Sequence, residues 1–354
     1  MSDRKHTFGR RRFLAAAPPA TAALAGTAGL LTSTQAATGF PDSGSAPYRF
    51  KLGMYLGELA LPFDESLARA KEIGAEYVWF NRLENESDVA KMSDAEADRM
   101  GERVARHGLK IFLLNAGNPF KKIHLTELNA GTMMEHAAFH KELNDLTRSM
   151  QIAARLGVRT VGSFSFAWPG EYTAGKPTWP MRWLTRGGVI ADVDMEKLVT
   201  AFSMVADRAE RYDVDVALSM MPWNYTNTTG NFRRVAEAVG SPRIKVMWGP
   251  ADNVNCGEWD TATAGFQNVR PYLHGLHLKD LHVDEGVRLN FQYRPLGEGD
   301  VDFPTILRNL RDHRLDVILS VSTHFRPPSG SRDEAMRINF GNLQRLISQV
   351  TSET

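Results

Sequence analysis

The sequence predicts a single (β/α)8 barrel, and three observations predict it. Short apolar runs alternate with longer helical patterns eight times along residues 51–350, and right-handed βαβ units close into a barrel at eight strands. The rival architecture, an open doubly wound sheet, lacks its signature, because no Gly-x-Gly-x-x-Gly motif follows the first apolar run. Several helical runs end in a glycine just before the next strand. Glycine is favoured there because the residue after a helix often adopts the left-handed backbone conformation. These glycines are Gly74, Gly108, Gly157 and Gly240.

Each strand is predicted where a short apolar run is bounded by polar residues or glycine, and each helix where apolar residues recur every three or four positions. The predicted strands are Lys51–Leu56, Glu76–Phe80, Lys110–Asn115, Arg159–Phe164, Asp215–Ser219, Ile244–Trp248, Leu273–Leu278 and Val317–Ser322. The predicted helices are Asp64–Ile73, Ser93–His107, Glu135–Leu156, Met195–Tyr212, Gly230–Val239, Thr261–Val269, Phe303–His313 and Asp333–Val350.

Residues 1–36 are predicted to be a twin-arginine signal peptide. The segment Arg10–Leu14 holds the arginine pair followed by two apolar residues, and an Ala-rich apolar run follows over Ala15–Leu31. Small residues at Thr34 and Ala36 place the cleavage after Ala36. A retained membrane anchor is the alternative, but the run falls short of the roughly 18–20 strongly apolar residues that a membrane span needs. We therefore expect an exported protein, periplasmic or extracellular, without a stable membrane anchor.

Net charge and cysteine content limit the partners and the stabilising bonds that the protein can have. The leader holds five basic residues and one acidic residue; without them, 37 Lys and Arg face 40 Asp and Glu, a net charge of −3. Without a basic stripe, nucleic acid is not expected as a partner. The single cysteine, Cys256, cannot form an internal disulfide. Residues 37–50 read as a linker rich in Pro, Gly and Ser, so residues 51–350 must supply one core.

Two segments point to chemistry at the mouth of the barrel. The apolar run Leu273–Leu278 contains His277 and ends in Lys279 and Asp280, and the glycine-rich acidic loop from Arg294 precedes a helical pattern. A buried strand whose last residues turn polar delivers side chains to the C-terminal mouth of a (β/α)8 barrel. Over residues 51–350 these motifs resemble the sugar phosphate isomerase/epimerase family, the xylose-isomerase-like TIM barrels.

This resemblance implies a divalent metal held by Glu, Asp, His and Glu from four strand ends. Such a metal polarises a carbonyl while the two glutamates move a proton on the adjacent carbon. In this sequence, however, the matching positions are Ser219, Gly249, His277 and Ser322. One imidazole with two serine hydroxyls is a poor donor set for a divalent ion, so we expect no metal cofactor. Asp252 lies beyond the predicted strand Ile244–Trp248, three residues past Gly249, so we do not expect its side chain to point into the barrel mouth. It is therefore not expected to replace a missing metal ligand.

Polar and aromatic residues remain at the predicted mouth. His277, Asp280 and His324 are the acid–base candidates. An alternative interpretation is that Lys279 and Asp280 form a structural ion pair. Residues 295–302 can likewise be a structural loop rather than a catalytic element, because their glycines permit backbone angles that other residues avoid. The substrate-binding candidates are Asn115, Trp168, Ser219, Trp223, Lys279, Arg294 and Ser322.

A long insertion between Phe164 and Asp194 carries Trp168, Trp179 and Trp183. It follows the fourth strand, so it belongs to the mouth, where tryptophans can stack on the apolar faces of sugar rings. An equally favoured alternative is that this insertion is a packed lid or a subunit contact. A homo-oligomer is therefore possible from the sequence.

Two functional hypotheses follow from the sequence. The first is an exported isomerase- or epimerase-like protein that acts on a sugar, polyol or oxidised glycoside without the family's metal. The second is a catalytically inactive barrel that binds a carbohydrate or serves as a partner subunit. The residues alone leave open whether the protein is an enzyme.

Overall fold

The computed structural model describes residues 47–83, 88–115, 117–176, 187–284 and 290–353. The predicted leader and residues 37–46 of the linker lie outside this part of the chain. The described strands are β1 (Lys51–Tyr55), β2 (Tyr77–Phe80), β3 (Lys110–Asn115), β4 (Thr160–Ser163), β5 (Asp215–Ser219), β6 (Ile244–Trp248), β7 (Leu273–Leu278), β8 (Asp280–Asp284), β9 (Asn290–Arg294) and β10 (Ile318–Val321).

Eight of these strands close into a parallel barrel in the order β1-β10-β7-β6-β5-β4-β3-β2. Every neighbouring pair in the barrel is parallel, and the last strand closes on the first through the Lys51–Ile318 register. The predicted (β/α)8 barrel is confirmed, and all eight predicted strands are found within one or two residues of their predicted ends.

Helices cover the outside of the barrel and alternate with its strands. Those described are α1 (Phe63–Ile73), α2 (Asp94–Arg106), α3 (Ala137–Leu156), α4 (Asp192–Arg211), α5 (Thr229–Val239), α6 (Pro250–Val254), α7 (Phe266–Val269), α8 (Phe303–Asp312) and α9 (Arg332–Ser352). Gly74, Gly157 and Gly240 end α1, α3 and α5 with positive φ angles of 106°, 67° and 68°, because a left-handed helix end favours glycine. Within the described part of the chain, none of these helices has the length and apolar character needed to cross a bilayer.

The segment after β7 departs from the prediction. Residues 280–284 and 290–294, expected to be loop, form the antiparallel hairpin β8–β9 in a separate sheet. The hairpin brings the ring of Tyr293 to 4.8 Å from that of His324, beyond β10. The hairpin therefore forms part of the mouth wall.

The core has two parts. The larger lies between the strands and the surrounding helices, and the smaller fills the inside of the barrel. The inner group consists of Trp79, Phe112, Leu113, Ala217, Met247 and Ile318. Because these side chains fill the interior, the polar residues at the C-terminal strand ends lie above a packed core.

Candidate active site at the barrel mouth

The four positions that hold metal in the resembling family lie on consecutive strands. Ser219 ends β5 and His277 lies near the end of β7, whereas Gly249 and Ser322 directly follow β6 and β10. The parallel registers align these ends, and the Ser322 amide donates to the Leu278 carbonyl at 2.9 Å. The sequence therefore located the mouth correctly.

Asp252 fills the space that Gly249 leaves open, contrary to the expectation that it lies outside the inward register. Gly249 caps α6, and one helical turn brings Asp252 back over it. A Cβ at Gly249 would come within 2.5 Å of Asp252 Oδ2. The same oxygen lies 2.8 Å from Lys279 Nζ, and the two side chains are only 3% and 2% exposed.

This contact is an ion pair, and among the described residues Asp252 Oδ2 has no hydrogen-bond partner by geometry. Burial raises the pKa of Asp252, and the Lys279 ammonium opposes that rise. The Asp252 carboxylate, which lies beside Gly249, is thus paired with the ammonium of Lys279. The alternative pairing of Lys279 with Asp280, inferred from the sequence, is wrong.

His277 is the one family ligand that the chain keeps. Its ring stacks edge-on against Trp79 at 5.5 Å and is 7% exposed. Burial lowers the pKa of His277 well below its usual range, and the positive charge of Lys279 adds to this. Nε2 has no hydrogen-bond partner among the described residues. The side chain is therefore a neutral imidazole with a polar atom free for a ligand.

These residues do not fit a divalent metal. Gly249 supplies no donor, and Ser219 and Ser322 supply only neutral hydroxyls. The nearby Asp252 carboxylate is already paired with the Lys279 ammonium. In the described parts of the chain, no three His, Cys, Asp or Glu side chains are grouped so that they could hold a metal ion.

Glu58 is the acidic residue of the mouth that the sequence analysis missed. It closes a 3-10 turn directly after β1 and is 6% exposed. Its Oε1 lies 3.3 Å from His324 Nδ1 and accepts a long hydrogen bond of 3.5 Å from Ser322 Oγ, and Arg326 lies 3.8 Å from Oε2. The only signal in the sequence is an acidic residue just past a predicted strand, since Glu58 matches no family ligand position.

Both members of the Glu58–His324 pair favour the uncharged form. Burial raises the pKa of Glu58, against the opposing charges of Arg326 and Lys279. Burial also lowers the pKa of His324 to about 3, and Lys279 and Arg326 add to that shift. His324 is therefore a neutral imidazole near neutral pH, and burial shifts Glu58 toward its protonated form.

Two further side chains complete the mouth. Tyr293 of the hairpin lies beside His324, and burial, followed by the charges of Asp252 and Glu58, raises its pKa. Lys121, on the loop after β3, places Nζ 4.9 Å from the ring centroid of Phe164 and 5.7 Å from that of Trp223. Burial, followed by the charge of Lys279, lowers the pKa of Lys121 to about 8.

Asp280 lies away from this chemistry. Its carboxylate accepts hydrogen bonds from four backbone amides, at 2.9 Å from Leu281, 2.9 Å from Gly297, 3.0 Å from Gly299 and 3.3 Å from Val301. A Cβ at Gly299 would collide with that carboxylate. Residues 295–302 therefore have a fixed geometry, as the alternative interpretation held, and the contacts of Asp280 favour a structural role over catalysis.

The predicted substrate-binding residues lie in different settings. Trp168 packs in the core, 6% exposed and 5.1 Å from the ring of Tyr225, which favours the packed-lid alternative for this residue. Trp223 is half-buried and Arg294 is exposed on β9. Asn115 is buried at the end of β3, where its amide donates to Asn81 while its own Oδ1 has no partner among described residues. Trp179 and Trp183 lie outside the described residues.

A closed parallel barrel with its polar groups at the C-terminal strand ends defines the class: a (β/α)8 barrel with its candidate site at the mouth. The chain belongs to the xylose isomerase-like TIM barrel family, whose sequence model matches residues 67–343. No curated protein matches the sequence significantly.

Several solved structures share the fold. An L-ribulose 3-epimerase aligns at 15% identity and a TM-score of 0.62, covering 86% of this chain and 97% of that one. A 3-keto-D-glucoside 4-epimerase from E. coli aligns at 17% identity and 0.60, covering 85% and 100%. A family protein from Mycobacterium smegmatis, in complex with magnesium, aligns at 16% identity and 0.57, covering 85% and 98%. At these identities the likeness establishes the fold alone.

Proposed function

We propose that this protein acts on a carbohydrate at the C-terminal mouth of its barrel, by acid–base chemistry that needs no divalent metal. The observation that carries the proposal is the contact between Glu58 Oε1 and His324 Nδ1 at 3.3 Å, close to the Lys279–Asp252 charge pair. The names of the structural neighbours, a ribulose 3-epimerase and a ketoglucoside 4-epimerase, support a sugar or an oxidised glycoside as substrate.

The residues supply the parts that proton transfer next to a carbonyl requires. A neutral imidazole accepts a proton from carbon, and a protonated carboxyl donates one to the carbonyl oxygen as the double bond shifts. Burial keeps the His324 imidazole neutral, with a pKa of about 3, and raises the pKa of Glu58, which favours the protonated carboxyl. The Lys279 ammonium places fixed positive charge near the oxygen that becomes negative. His277 Nε2 and Asn115 Oδ1 remain to bind sugar hydroxyls.

Deuterium exchange tests this mechanism. The mature protein is incubated in D2O with ribulose or a 3-ketoglucoside, and the loss of the C–H signal next to the carbonyl is followed by NMR. Glu58→Gln should slow the exchange about 100-fold, the usual contribution of one acid–base group. Glu65→Gln, on the exposed face of α1, is the matched control and should change nothing. Exchange that is equally fast in Glu58→Gln would exclude the mechanism.

The inactive, carbohydrate-binding barrel is the second candidate, because the unpaired atoms of His277 and Asn115 suit hydroxyl binding without catalysis. It predicts that the same sugars raise the melting temperature while no proton exchanges with solvent. Binding with exchange would exclude it.

Metal independence is tested by metal analysis of the purified protein. We expect well under one equivalent of Mn, Mg, Co or Zn, and no change of melting temperature with EDTA, since a ligand stabilises only the state that binds it. Restoring the family's donors requires Ser219→Glu, Gly249→Asp and Ser322→Glu together with Asp252→Ala, because Asp252 occupies the space over Gly249. Stoichiometric metal that is lost in His277→Ala would overturn the metal-free proposal.

Export belongs to the same proposal, and it is supported by the arginine pair at Arg10 and Arg11 and the apolar run that follows. Replacing both arginines by lysine should retain the precursor in the cytoplasm, while Lys5→Arg, outside the motif, should not. Secretion that continues without the arginine pair would remove this part of the proposal.

A further inference from the structure

Lys121 is a second lysine at the barrel mouth, and its surroundings differ from those of Lys279. It is half-buried on the loop after β3, with Nζ over the rings of Phe164 and Trp223, which follow β4 and β5. Lys279 Nζ is in contact with a carboxylate. In the parts of the chain that the structure describes, Lys121 has no ion pair. Its Nζ therefore lies over two aromatic rings rather than against a carboxylate.

The electrostatic surroundings favour the free amine of Lys121. Burial penalises its positive charge, and the charges of Lys279 and Lys122 act in the same direction, whereas Asp252 opposes them. With its pKa lowered to about 8, about a tenth of the side chain is unprotonated at pH 7, far more than for a lysine with the ordinary pKa. An apolar site and a neighbouring cation are the two conditions that turn lysine into a nucleophile.

We propose that Lys121 forms a protonated imine with the carbonyl carbon of an open-chain ketose or an oxidised glycoside. The inference rests on the proposed function, because it takes the substrate to be a carbohydrate that bears a carbonyl group. It also supplies what the absent metal donors would have provided. A protonated imine withdraws electrons from the neighbouring C–H bond, as a metal-bound carbonyl does.

The reaction balances without a further reagent. The lone pair of Nζ forms the C–N bond, the π electrons of the carbonyl move to oxygen, and a proton passes from nitrogen to that oxygen. The resulting hydroxyl takes a second proton from the mouth and leaves as water, while the nitrogen lone pair forms the C=N bond. One amine, one carbonyl and one proton thus give one iminium ion and one water. Hydrolysis reverses the sequence and frees the lysine.

Reductive trapping tests the inference. The mature protein is incubated with dihydroxyacetone and sodium cyanoborohydride near neutral pH, and modified lysines are quantified by peptide mass spectrometry. Lys122 is the internal control, since it is the next residue and is exposed. We expect Lys121 to be modified at least about tenfold faster than Lys122, the difference that a lowered pKa and a bound carbonyl together produce. Equal labelling of the two residues, or none at Lys121, would overturn the inference.

Variants separate this inference from the proposed function. Lys121→Arg keeps the positive charge and should abolish both the adduct at this position and the deuterium exchange, whereas Lys122→Arg should leave both unchanged. If exchange persists in Lys121→Arg, the imine is excluded while acid–base catalysis by Glu58 and His324 stands. If Lys121→Arg fails to fold, the labelling ratio in the unmodified protein decides the question.

Discussion

Two buried aspartates follow neighbouring strand ends, and they are neutralised in different ways. Asp252 meets the ammonium of Lys279 at 2.8 Å. Among the described residues, Asp280 instead accepts hydrogen bonds from four backbone amides, those of its neighbour Leu281 and of Gly297, Gly299 and Val301. Burial raises the pKa of both carboxyl groups, to about 6 for Asp280. The Lys279–Asp252 pair places two charged groups at the mouth. The Asp280 carboxylate instead holds the loop through its hydrogen bonds to backbone amides.

The comparison shows that proximity to a motif does not reveal the role of a residue. Asp280 stands beside His277 in the segment that carries the family resemblance, yet its contacts serve the loop. Asp252 follows a motif whose ligand position is Gly249, yet it lies in the space above that glycine. The role depends on which opposite charges or donors the fold brings to each carboxylate.

Breaking the charge pair should have the largest effect. Lys279→Met leaves the Asp252 carboxylate buried without its cation and should lower the free energy of unfolding by about 3–5 kcal/mol. Adding Asp252→Asn should restore more than half of that loss, since no buried charge remains. Urea denaturation measures both variants, with Lys122→Met on the exposed surface as the control. Equal losses in the single and double variants would show that lysine packing, and not charge, sets the cost.

Removing the charge of Asp280 should have a smaller, local effect. Asp280→Asn turns one oxygen into a donor that faces the amides of the loop, so we expect a loss of about 2–3 kcal/mol. Hydrogen exchange should reveal faster exchange at Gly297, Gly299 and Val301, which Lys279→Met should not cause. Asp284→Asn, exposed on the same hairpin, is the control. Amides that stay protected in Asp280→Asn would contradict the structural role assigned to this carboxylate.

The sequence determined the barrel because its signals are local. Apolar runs bounded by polar residues locate each strand, and a glycine such as Gly157 ends a helix wherever a left-handed backbone is needed. The mouth followed from these strands, since parallel strands present their carboxyl ends at one rim.

The contacts of the mouth could not be predicted in the same way. Asp252 returns to the site because Pro250 starts a short helix on Gly249, and strand periodicity does not describe that turn. Glu58 matches no family ligand position and becomes important only because His324, 266 residues later in the chain, lies 3.3 Å away. The hairpin that supplies Tyr293 has half-exposed strands that are too polar to be recognised as apolar runs.

The Glu58–His324 pair extends the comparison to a carboxyl group whose cation, Arg326, lies farther away at 3.8 Å, and it should give the smallest effect. The folded pKa of His324 is about 3, below the ordinary value of 6.5. Between these values the unfolded chain binds more protons than the folded protein. The contribution of His324 to the free energy of unfolding therefore rises with pH up to about 6.5 and decreases as the pH falls toward 3. Since 37% of the imidazole surface is exposed, solvent screening should limit the contribution to about 1 kcal/mol.

His324→Gln should therefore flatten the rise in stability below about pH 6.5. Glu58 has the opposite sign: its raised pKa favours the protonated folded state, so its contribution is present at low pH and is lost as the pH rises. Glu58→Gln should accordingly steepen the rise that His324→Gln flattens. Urea denaturation at several pH values measures both slopes. A steeper rise in His324→Gln would mean that the imidazole is charged in the folded protein, and that the pair is an ordinary ion pair like Lys279–Asp252.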